Sequence, residues 1–471
     1  MDYQRLLQGI LDIGEAMLMS GAENFRIDDS LYRICKSYGF VKYDVFVIPS
    51  NIQITVETPD GEILTQIRHI ESTDTNFDRL DYLNNLCRYV CQNKPDDKEL
   101  REKYLEVMRR PQQKPYTKYF AAVMGGTGFA VFFGCNFADA IVAVIVSLMI
   151  VIVGGWLSRR EENLMIYNLI LSFLSEVIII ESVRMGLGSH PERIMIGIVM
   201  LLISGLGTTN GIRELLQRDF ISGTINIMNS MLGAAGIAFG TALAMIMLKG
   251  VSAEGFILNH SIPIQLISCT IACIGFAFWF KIRGRQVWYS GVGAFFTWAI
   301  YAGVYAIRPS NFIATLLGAV FVGFFAFIMS RVNRAPSTIF LTASVFPLIP
   351  GPNLYYMMYG ITSNDKAMAI SETMVLFETC LAIAFGFLIV DVASRTIMRA
   401  MKREYHIGKA IGNMVFNMGF YSLGIQWLGS LSVIPIAFYN EKRGKYKWKW
   451  FFYLFYPVHL FVLAVIKIVV Y

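Results

Sequence analysis

Glycine, proline and small polar residues interrupt two long apolar segments of this sequence. In the first segment they are Ser204, Gly205, Gly207, Thr208, Thr209 and Asn210, and in the second they are Pro347, Pro350, Gly351 and Asn353. Proline removes a backbone donor and glycine loosens a helix, so each interruption predicts a broken helix. Freed amides suit a carboxylate and freed carbonyls suit an ammonium group. The two interruptions therefore predict a substrate site that fits a zwitterionic amino acid, with ordinary kinks and close helix packing as the alternative.

Three glutamates lie inside apolar segments, where an ionisable side chain is costly and marks a functional candidate. They are Glu176, Glu372 and Glu378. A buried carboxylate can take up and release a proton near neutral pH, so these residues are candidates for proton coupling. A structural hydrogen bond between helices is the alternative for each. Three more acidic residues near the ends of these segments are expected to be solvated: Asp139, Glu181 and Asp391.

The two interruptions belong to a repeat. Residues 202–240 align with residues 348–386 at an offset of 146 without a gap, and nine of the 39 pairs are identical. The alignment pairs Asn226 with Glu372, so we expect these side chains to face one cavity from opposite sides. Each copy has five segments long enough to cross a membrane, and an odd number turns the second copy upside down. The predicted spans are 119–135, 137–157, 164–183, 194–212 and 221–248, then 262–280, 286–307, 312–330, 338–359 and 368–392.

The composition is typical of a protein that crosses a membrane many times. Of 471 residues, 55% are hydrophobic and 16% are charged, and the mean hydropathy is +0.50. The net charge of +7 fits positively charged cytoplasmic loops and does not indicate nucleic-acid binding. The N-terminus lacks a basic region followed by an apolar one. We therefore expect no cleaved signal peptide, a cytoplasmic N-terminus and a location in the cytoplasmic membrane of a prokaryote.

Four regions are predicted from these patterns. Apolar residues follow helical spacing in residues 7–38 and alternate with polar residues in 52–57. Residues 1–117 are therefore predicted to form a cytosolic α/β domain. The first five-helix membrane repeat is assigned to 118–250 and the second to 251–400. A hydrophobic appendage of one or two helices is assigned to 401–471.

The sequence carries no pattern for a metal, a cofactor or an enzymatic reaction. Cys87 and Cys91 are four residues apart, as are Cys269 and Cys273, a spacing that could place two thiolates on one helix face. Neither pair has a histidine set nearby, so apolar cores are the preferred interpretation. We find no phosphate-binding glycine loop and no nucleophile–base pair, which argues against ATP-driven transport and against catalysis.

Several motifs in the same order resemble the threonine/serine exporter family over residues 5–400. In the N-terminal region they are GAE at 21–23 with Arg26, DVFV at 44–47, PDGE at 59–62, Arg68, and NFDRL at 76–80 with Asn84. In the membrane halves they are TNGIRE at 209–214, Asp219 with SG at 222–223, PST at 336–338 and FPLIPG at 346–351. The resemblance implies the fused form of the family and export of small amino acids, driven by an ion gradient. Ser204 departs from it, because the family usually has proline before this glycine.

The resemblance leaves several alternatives open. The charged motif residues Glu23, Arg26 and Arg68 could form a structural ion-pair network, or they could serve gating or sensing. Two-subunit relatives are also linked to small dicarboxylates such as succinate, so a dicarboxylate exporter is the first alternative. A membrane-anchored sensor or enzyme is the second. The implied partners are a small amino acid and the lipid bilayer, and assembly of the chain with copies of itself stays open.

The C-terminal tail resembles the end of TraX-family membrane proteins. The residues that carry this resemblance are Gln426 and Trp427, YNEKRG at 439–444 and FYLFYPVHL at 452–460. We interpret the tail as a fused accessory segment with one apolar stretch near 421–439 and another near 451–470. Its topology is undecided, since the basic connection between the two stretches opposes the positive-inside tendency.

Overall fold

The computed structural model describes residues 2–70, 74–161, 163–203, 205–216, 219–248 and 261–402. The predictions made for Ser204, for the two apolar stretches of the tail and for its TraX resemblance lie outside these residues. The predicted region boundaries after residues 117, 250 and 400 stay predictions.

The N-terminal region combines four helices with a small antiparallel sheet. Its elements are α1 (Tyr3–Met19), α2 (Asn24–Tyr38), β1 (Lys42–Ile48), β2 (Asn51–Glu57), β3 (Ile63–His69), α3 (Phe77–Asn93) and α4 (Asp97–Met108). The strands lie in the order β1-β2-β3. Alternation along β2 buries Ile52, Ile54 and Val56 in one apolar core with residues of α1, α2 and α3. One face of the sheet is therefore covered by helices.

Twelve helices follow in the described residues. They are α5 (Pro115–Phe132), α6 (Phe137–Leu157), α7 (Leu164–Arg184), α8 (Pro191–Leu202), α9 (Gly205–Leu216), α10 (Phe220–Leu248), α11 (Ile262–Trp279), α12 (Arg285–Ile307), α13 (Asn311–Asn333), α14 (Ser337–Val345), α15 (Gly351–Thr362) and α16 (Lys366–Lys402). By length and composition, seven of these described helices can cross a membrane: α6, α7, α10, α11, α12, α13 and α16. The chain is therefore a multi-pass membrane protein. Two of the ten predicted spans are each divided into two helices, which are α8 with α9 and α14 with α15.

The helices recur at the interval of the sequence repeat. α9 covers Gly205–Leu216 and α15 covers Gly351–Thr362, so both ends differ by 146 residues. The helix that follows each of them starts with the same cap: Asp219 Oδ1 accepts from the Ser222 amide at 3.2 Å, and Asp365 Oδ1 accepts from the Met368 amide at 3.0 Å. An aspartate that satisfies free amides of the first turn fixes where the helix begins. The repeat thus extends from residue identities to helix starts.

One glycine in each copy allows two helices to approach closely. A Cβ atom on Gly240 of α10 would lie 2.2 Å from the carbonyl oxygen of Leu169 in α7. A Cβ atom on Gly386 of α16 would lie 2.6 Å from the Cβ of Ala319 in α13. Small residues at such contacts let backbones pack tightly in a membrane, where the hydrophobic effect does not hold helices together. The last helix of each copy therefore packs on the third helix of the same copy.

The first helices of the two copies, α5 and α11, pack against each other in opposite directions. A Cβ on Gly128 would lie 2.9 Å from Cα of Ala272, and a Cβ on Gly275 would lie 2.5 Å from the amide nitrogen of Gly125. Residue numbers rise along α5 while their partners fall along α11, so the helices are antiparallel. Equivalent helices that run antiparallel are the arrangement expected when one copy is turned over relative to the other.

The N-terminal region lies against two turns of the second copy. At the α11–α12 turn, Lys281 pairs with Asp74, Arg283 Nη1 lies 3.4 Å from Asp78 Oδ2, and the Phe77 amide donates to the Phe280 carbonyl at 3.1 Å. At the α13–α14 turn, Arg88 Nη1 donates to the carbonyl of Arg334 at 3.0 Å. The acidic start of α3 therefore meets basic turns, so the contact is electrostatically complementary.

The contacts place every described element up to residue Phe387 in one compact unit. The second unit begins at Leu388, and its described residues are the remainder of α16. There Arg395 Nη2 lies 2.8 Å from Asp391 Oδ2, and the Asp391 side chain is 33% exposed. That exposure agrees with the expected solvation of Asp391.

Candidate functional site

The first break separates α8 from α9. α8 ends at Leu202 and α9 starts at Gly205. Between them, Ile203 has extended backbone angles (φ −71°, ψ 130°), and its amide still donates to the Val199 carbonyl at 2.8 Å. Gly205 starts the next helix after one further residue. The chain is therefore extended at Ile203 and helical again from Gly205.

The second break separates α14 from α15 at the equivalent position. α14 ends at Val345, a short 3₁₀ turn covers Phe346–Leu348, and α15 starts at Gly351. Ile349 has almost the same backbone angles as Ile203 (φ −68°, ψ 126°). Pro347 lies in the 3₁₀ turn and Pro350 directly precedes α15, and both are buried. Two prolines without amide protons prevent the continuous helix that the apolar sequence would otherwise form.

The two breaks lie next to each other. A Cβ atom on Gly351, at the start of α15, would lie 2.5 Å from the Sδ atom of Met200 near the end of α8. Tyr355 and Tyr356 of α15 are buried in the same apolar core as Ile198 and Met200 of α8. The helix that follows the second break, α15, is therefore in direct contact with α8, the helix that precedes the first break. Side chains from both copies converge there, as a shared ligand site requires.

An aromatic cluster packs beside the second break. The ring of Phe346 stacks on Phe276 of α11, with centroids 4.1 Å apart, and lies 6.3 Å from Phe129 of α5. Phe129 and Phe276 are themselves 5.6 Å apart. Aromatic pairs in such geometries add stabilisation beyond the area that they bury. They fix the 3₁₀ turn against the antiparallel α5–α11 pair, so one side of the break is held rigidly.

Glu176 is a buried carboxylate of α7. It is 2% exposed, and among the described residues its Oε2 atom has no hydrogen-bond partner. Glu192 of α8 and Tyr355 of α15 lie within electrostatic range of it. A buried charged oxygen without a partner is costly, so a group of this kind is a candidate to bind a cation or a proton.

The first interruption is described only in part. The backbone of Gly205, Thr208 and Thr209 belongs to α9, but the side chains of the two threonines lie outside the described residues. The side-chain oxygen of Asn210 is buried, and no described residue donates to it. Gly207 is half-buried on the same helix. Among the predicted residues of this interruption, Asn210 is therefore the one with a buried polar atom that lacks a hydrogen-bond donor in the described part of the chain.

Each copy contains a hydrogen bond between an asparagine and a glutamate. In the first copy, Asn226 Nδ2 of α10 donates to Glu214 Oε2 of α9 at 2.7 Å. In the second copy, Asn353 Nδ2 of α15 donates to Glu372 Oε2 of α16 at 2.8 Å. The equivalent positions 226 and 372 thus each take part, with the amide and the carboxylate exchanged. Glu214 was not among the predicted site residues, although its position in the TNGIRE motif and the alignment of Asn226 with Glu372 pointed to it.

Two other acidic residues differ in how they fit their predictions. Glu378 of α16 is half-buried, and among the described residues it has no hydrogen bond or ion pair.

The expectation that Asp139 is solvated is wrong, because Asp139 is fully buried. It caps α6 through the Asn136 amide and accepts from the Ser189 amide at 2.7 Å and from His190 Nδ1 at 2.9 Å. These donors replace water, so a carboxylate near a helix end can be buried at little cost.

The charged motif residues of the N-terminal region form two separate groups. Arg26 Nε lies 3.4 Å from Glu23 Oε2, and the Arg26 guanidinium also donates to Ser337 Oγ at the start of α14. Arg68 pairs instead with Asp12 at 2.9 Å and Glu15 at 3.3 Å. These hydrogen bonds and charges raise the pKa of Arg68 further. Arg26 thereby links the N-terminal region to the half-helix that leads into the second break.

The cysteines agree with the core interpretation. Cys87, Cys269 and Cys273 are buried and Cys91 is half-buried, and all seven cysteines are free. Within the described part of the chain, no group of three or more His, Cys, Asp or Glu residues could hold a metal ion.

These features define a class of protein. The chain is a multi-pass membrane protein in which two helices are broken at equivalent positions of a repeat and the breaks touch. Within hydrocarbon, irregular backbone of this kind is tolerated where it is covered by protein or lines a cavity. Paired broken helices are a recurrent feature of secondary transporters.

Comparison with known proteins identifies the family. The family model described as putative threonine/serine exporter matches residues 8–248, and a second model, described as threonine/serine exporter, matches residues 265–393. The chain therefore belongs to the threonine/serine exporter family, with both parts fused in one polypeptide. This family is a family of exporters and not a class of enzymes.

Two curated relatives cover most of the chain at low identity. The threonine/serine exporter of Corynebacterium glutamicum is 21% identical over 406 residues, which are 82% of this chain and 82% of that protein. The probable threonine/serine exporter of Mycobacterium tuberculosis (strain ATCC 25618 / H37Rv) is 20% identical over 406 residues, or 81% of this chain and 75% of that protein. No solved structure matches the chain significantly.

Proposed function

We propose that this protein is a secondary active transporter that exports threonine, serine or similar small amino acids from the cytoplasm. The observation that carries the proposal is the contact between the two broken helices, where Gly351 of one copy lies against Met200 of the other. Broken helices expose backbone amides and carbonyls at one point, and a zwitterion can use both. The names of the family and of both curated relatives support the same substrates.

The ten-helix inverted repeat is part of this proposal. Equivalent helices of the two copies start 146 to 148 residues apart, and α5 packs antiparallel on α11; both observations support it. Two copies of opposite orientation can exchange conformations around one shared site, which is the usual basis of alternating access. The substrate then reaches one side of the membrane and leaves on the other without an open channel.

The substrate site that we propose comprises both interruptions. The first copy contributes Ser204, Gly205, Gly207, Thr208, Thr209 and Asn210, and the second contributes Pro347, Pro350, Gly351 and Asn353. Asn210 is the best supported of the first group because its buried oxygen has no donor among the described residues. Asn226 is less suited than predicted, since its amide already donates to Glu214.

Proton coupling is proposed for Glu176. Of the three predicted carboxylates it alone is almost fully buried, whereas Glu372 and Glu378 are half-buried. Its Oε2 atom has no hydrogen-bond partner in the described part of the chain, and Glu192 and Tyr355 are its neighbours. Both observations support a site that holds a proton in one state and releases it in another. A permanently charged carboxylate here would cost free energy that no contact among the described residues offsets.

A cytoplasmic N-terminus is proposed from the contacts of the N-terminal region. This region lies against the turns that contain Lys281, Arg283 and Arg334. Short loops rich in lysine and arginine favour the cytoplasmic side of a membrane. The N-terminal region would then cover the cytoplasmic end of the second copy.

Efflux from proteoliposomes tests the function. Vesicles that contain the purified protein are loaded separately with radiolabelled threonine, serine and succinate, and efflux is followed with and without a proton gradient. We expect gradient-dependent efflux of threonine and serine. Efflux of succinate alone would favour a dicarboxylate exporter, and absence of efflux by a folded protein would contradict transport of all three.

A pair of variants on one helix tests the coupling residue. Glu176→Gln removes the buried carboxylate, and Glu181→Gln is its matched control because Glu181 is 40% exposed and paired with Arg184. We expect Glu176→Gln to lose the response to the gradient while exchange of internal for external threonine continues. A gradient response that survives in Glu176→Gln would contradict its coupling role.

A further inference from the structure

The two asparagine–glutamate hydrogen bonds lie at different distances from their breaks. Asn353 is the second residue after Gly351, the residue with which α15 begins, so the carboxylate of Glu372 is held within one turn of the second break. Glu214 lies nine residues after Gly205, which is roughly 13 Å farther along α9 at 1.5 Å per residue. The pair in the second copy therefore belongs to the candidate site, and the pair in the first copy does not.

Residue types at the equivalent positions explain this difference. The position equivalent to Asn353 in the first copy is Gly207, and the position equivalent to Glu214 in the second copy is Gly360. In the first copy Glu214 of α9 bonds to α10, and in the second copy Asn353 of α15 bonds to α16. At each of these two positions the other copy has a glycine. Of the two asparagine–glutamate pairs, the one in the second copy is therefore the pair that places its carboxylate beside a break.

Glu372 has no cationic partner among the described residues. Its one hydrogen bond there comes from the neutral amide of Asn353. The nearest basic side chain on α8, Arg193, is engaged elsewhere, because it donates to the carbonyl of Gly134 at 3.0 Å and lies 3.8 Å from Glu192. A half-buried carboxylate in a membrane helix is stabilised by a positive group more strongly than by an amide alone.

The tyrosine beside this carboxylate connects it to the first copy. Tyr356 of α15 is 3% exposed and lies within electrostatic range of Glu372, Glu192 and Arg193. It belongs to the apolar core that also contains Met200, the residue in contact with Gly351. The carboxylate of Glu372 therefore borders the place where the two breaks meet.

We infer that Glu372, held in place by Asn353, binds the ammonium group of the transported amino acid and selects against substrates that lack one. An ammonium group satisfies the carboxylate with charge-assisted hydrogen bonds, whereas a dicarboxylate would meet like charge at this point. The inference rests on the proposed export of amino acids, and it replaces proton coupling as the role of Glu372.

The test uses two analogues that each keep one end of serine. Ethanolamine keeps the ammonium group and the hydroxyl, and 3-hydroxypropanoate keeps the carboxylate and the hydroxyl. Inhibition of serine efflux by each analogue is measured in proteoliposomes at one fixed pH. The variants are Glu372→Gln, the charge-conserving Glu372→Asp, and Glu214→Gln. The last variant removes the carboxylate of the pair that lies away from its break.

In the wild type, both analogues are expected to inhibit. In Glu372→Gln the KM for serine rises about 10- to 100-fold, since a hydrogen bond to a charged group is lost. Inhibition by ethanolamine is lost with it, and inhibition by 3-hydroxypropanoate is retained. Glu372→Asp keeps inhibition by ethanolamine, and Glu214→Gln behaves as the wild type toward both analogues.

Three results would overturn the inference. They are inhibition by ethanolamine that persists in Glu372→Gln, equal loss of it in Glu214→Gln, and a wild type that ethanolamine does not inhibit although it exports serine. Should Glu372→Gln fail to fold, Glu372→Asp and Asn353→Ala carry the test, since the first should keep and the second weaken inhibition by ethanolamine. A wild type that exports neither serine nor threonine would refute the proposed function itself, a result distinct from these.

Discussion

The two breaks share the backbone angles of one isoleucine and differ in the side chains around it. Ile203 and Ile349 differ by a few degrees in φ and ψ, and the next helix starts two residues later in both copies. Around them, one copy has threonines and an asparagine, and the other has prolines, an asparagine and a glutamate. The two copies therefore share the position of the break, while the residue types around it differ between them. A site built this way can bind an asymmetric substrate in one orientation.

The turns that enter the second helix of each copy show the same contrast. In the first copy Asp139 is fully buried and caps α6, whereas α12, the second helix of the second copy, starts with Arg285. The first turn is closed by hydrogen bonds within the membrane part. The second is basic and meets the acidic start of α3. The α11–α12 turn is therefore basic, whereas the α5–α6 turn at 133–136 contains no lysine or arginine.

The largest effect is expected from the glycines that bring the helices of each copy together. Gly240→Ala places a Cβ 2.2 Å from a backbone oxygen, so α10 must move away from α7. We expect a loss of about 3 kcal/mol or more, and about 1–2 kcal/mol for Gly386→Ala, where a side-chain atom lies 2.6 Å away. Thermal unfolding in detergent measures both.

Gly303→Ala is the control for that comparison. No atom lies within 4 Å of a Cβ at Gly303, so alanine there is expected to be neutral or to stabilise α12 by up to about 1 kcal/mol. Equal destabilisation by Gly240→Ala and Gly386→Ala would contradict the expected difference, because both helix contacts would then accommodate an added methyl group equally well.

The next effect is expected at the buried cap of the first copy. Asp139→Asn removes a charged acceptor from the amides of Asn136 and Ser189 and from the ring of His190. The expected loss is about 1–3 kcal/mol of stability. Arg285→Gln, at the first residue of α12, should cost less than Asp139→Asn. Both are compared by thermal unfolding, and an Asp139→Asn variant as stable as the wild type would show that the cap contributes little.

A smaller effect is expected from the contact between α3 and the α11–α12 turn. Asp78→Asn removes the partner of Arg283, and partly exposed pairs contribute about 0–1 kcal/mol. The variant should raise the rate at which protease cleaves near residue 110, and high salt should reduce the difference from the wild type. Asp60→Asn, in an exposed turn, is the control. An unchanged cleavage rate at low salt would argue against electrostatic docking.

The smallest effect concerns Asp28 of α2. Burial raises the pKa of the Asp28 carboxyl, and the neighbouring charges of Asp29 and Asp219 raise it further. The folded state therefore keeps this proton to a higher pH than the unfolded state, so stability falls as pH rises through the window above the ordinary value of about 3.9. Asp28→Asn should stabilise the protein by about 0.5 kcal/mol or less near neutral pH.

The pH dependence supplies the check on that assignment. The advantage of Asp28→Asn over the wild type should vanish in unfolding measurements below about pH 4, where the carboxyl is protonated in both states. An advantage that persists at low pH would assign the effect to packing.

Much of the architecture could be predicted from the sequence. The offset of 146 residues located both breaks, since prolines and glycines in an apolar segment act locally on the backbone. The burial of Asp139 could not be predicted, because its donors at 189 and 190 are about 50 residues away. The partner of Asn226 was missed for a related reason. Whether two polar side chains meet depends on how neighbouring helices are rotated, and spacing along one helix does not contain that information.

The most direct measurement of the central claim is protection by substrate at both breaks. Ile203→Cys and Ile349→Cys are introduced separately into a variant without its seven native cysteines that still exports threonine. A small thiol reagent is applied with and without threonine, and Gly155→Cys and Gly303→Cys are the controls. We expect threonine to slow the reaction at 203 and at 349 and to leave both controls unchanged. Protection at neither break, or at one alone, would contradict a substrate site shared by the two copies.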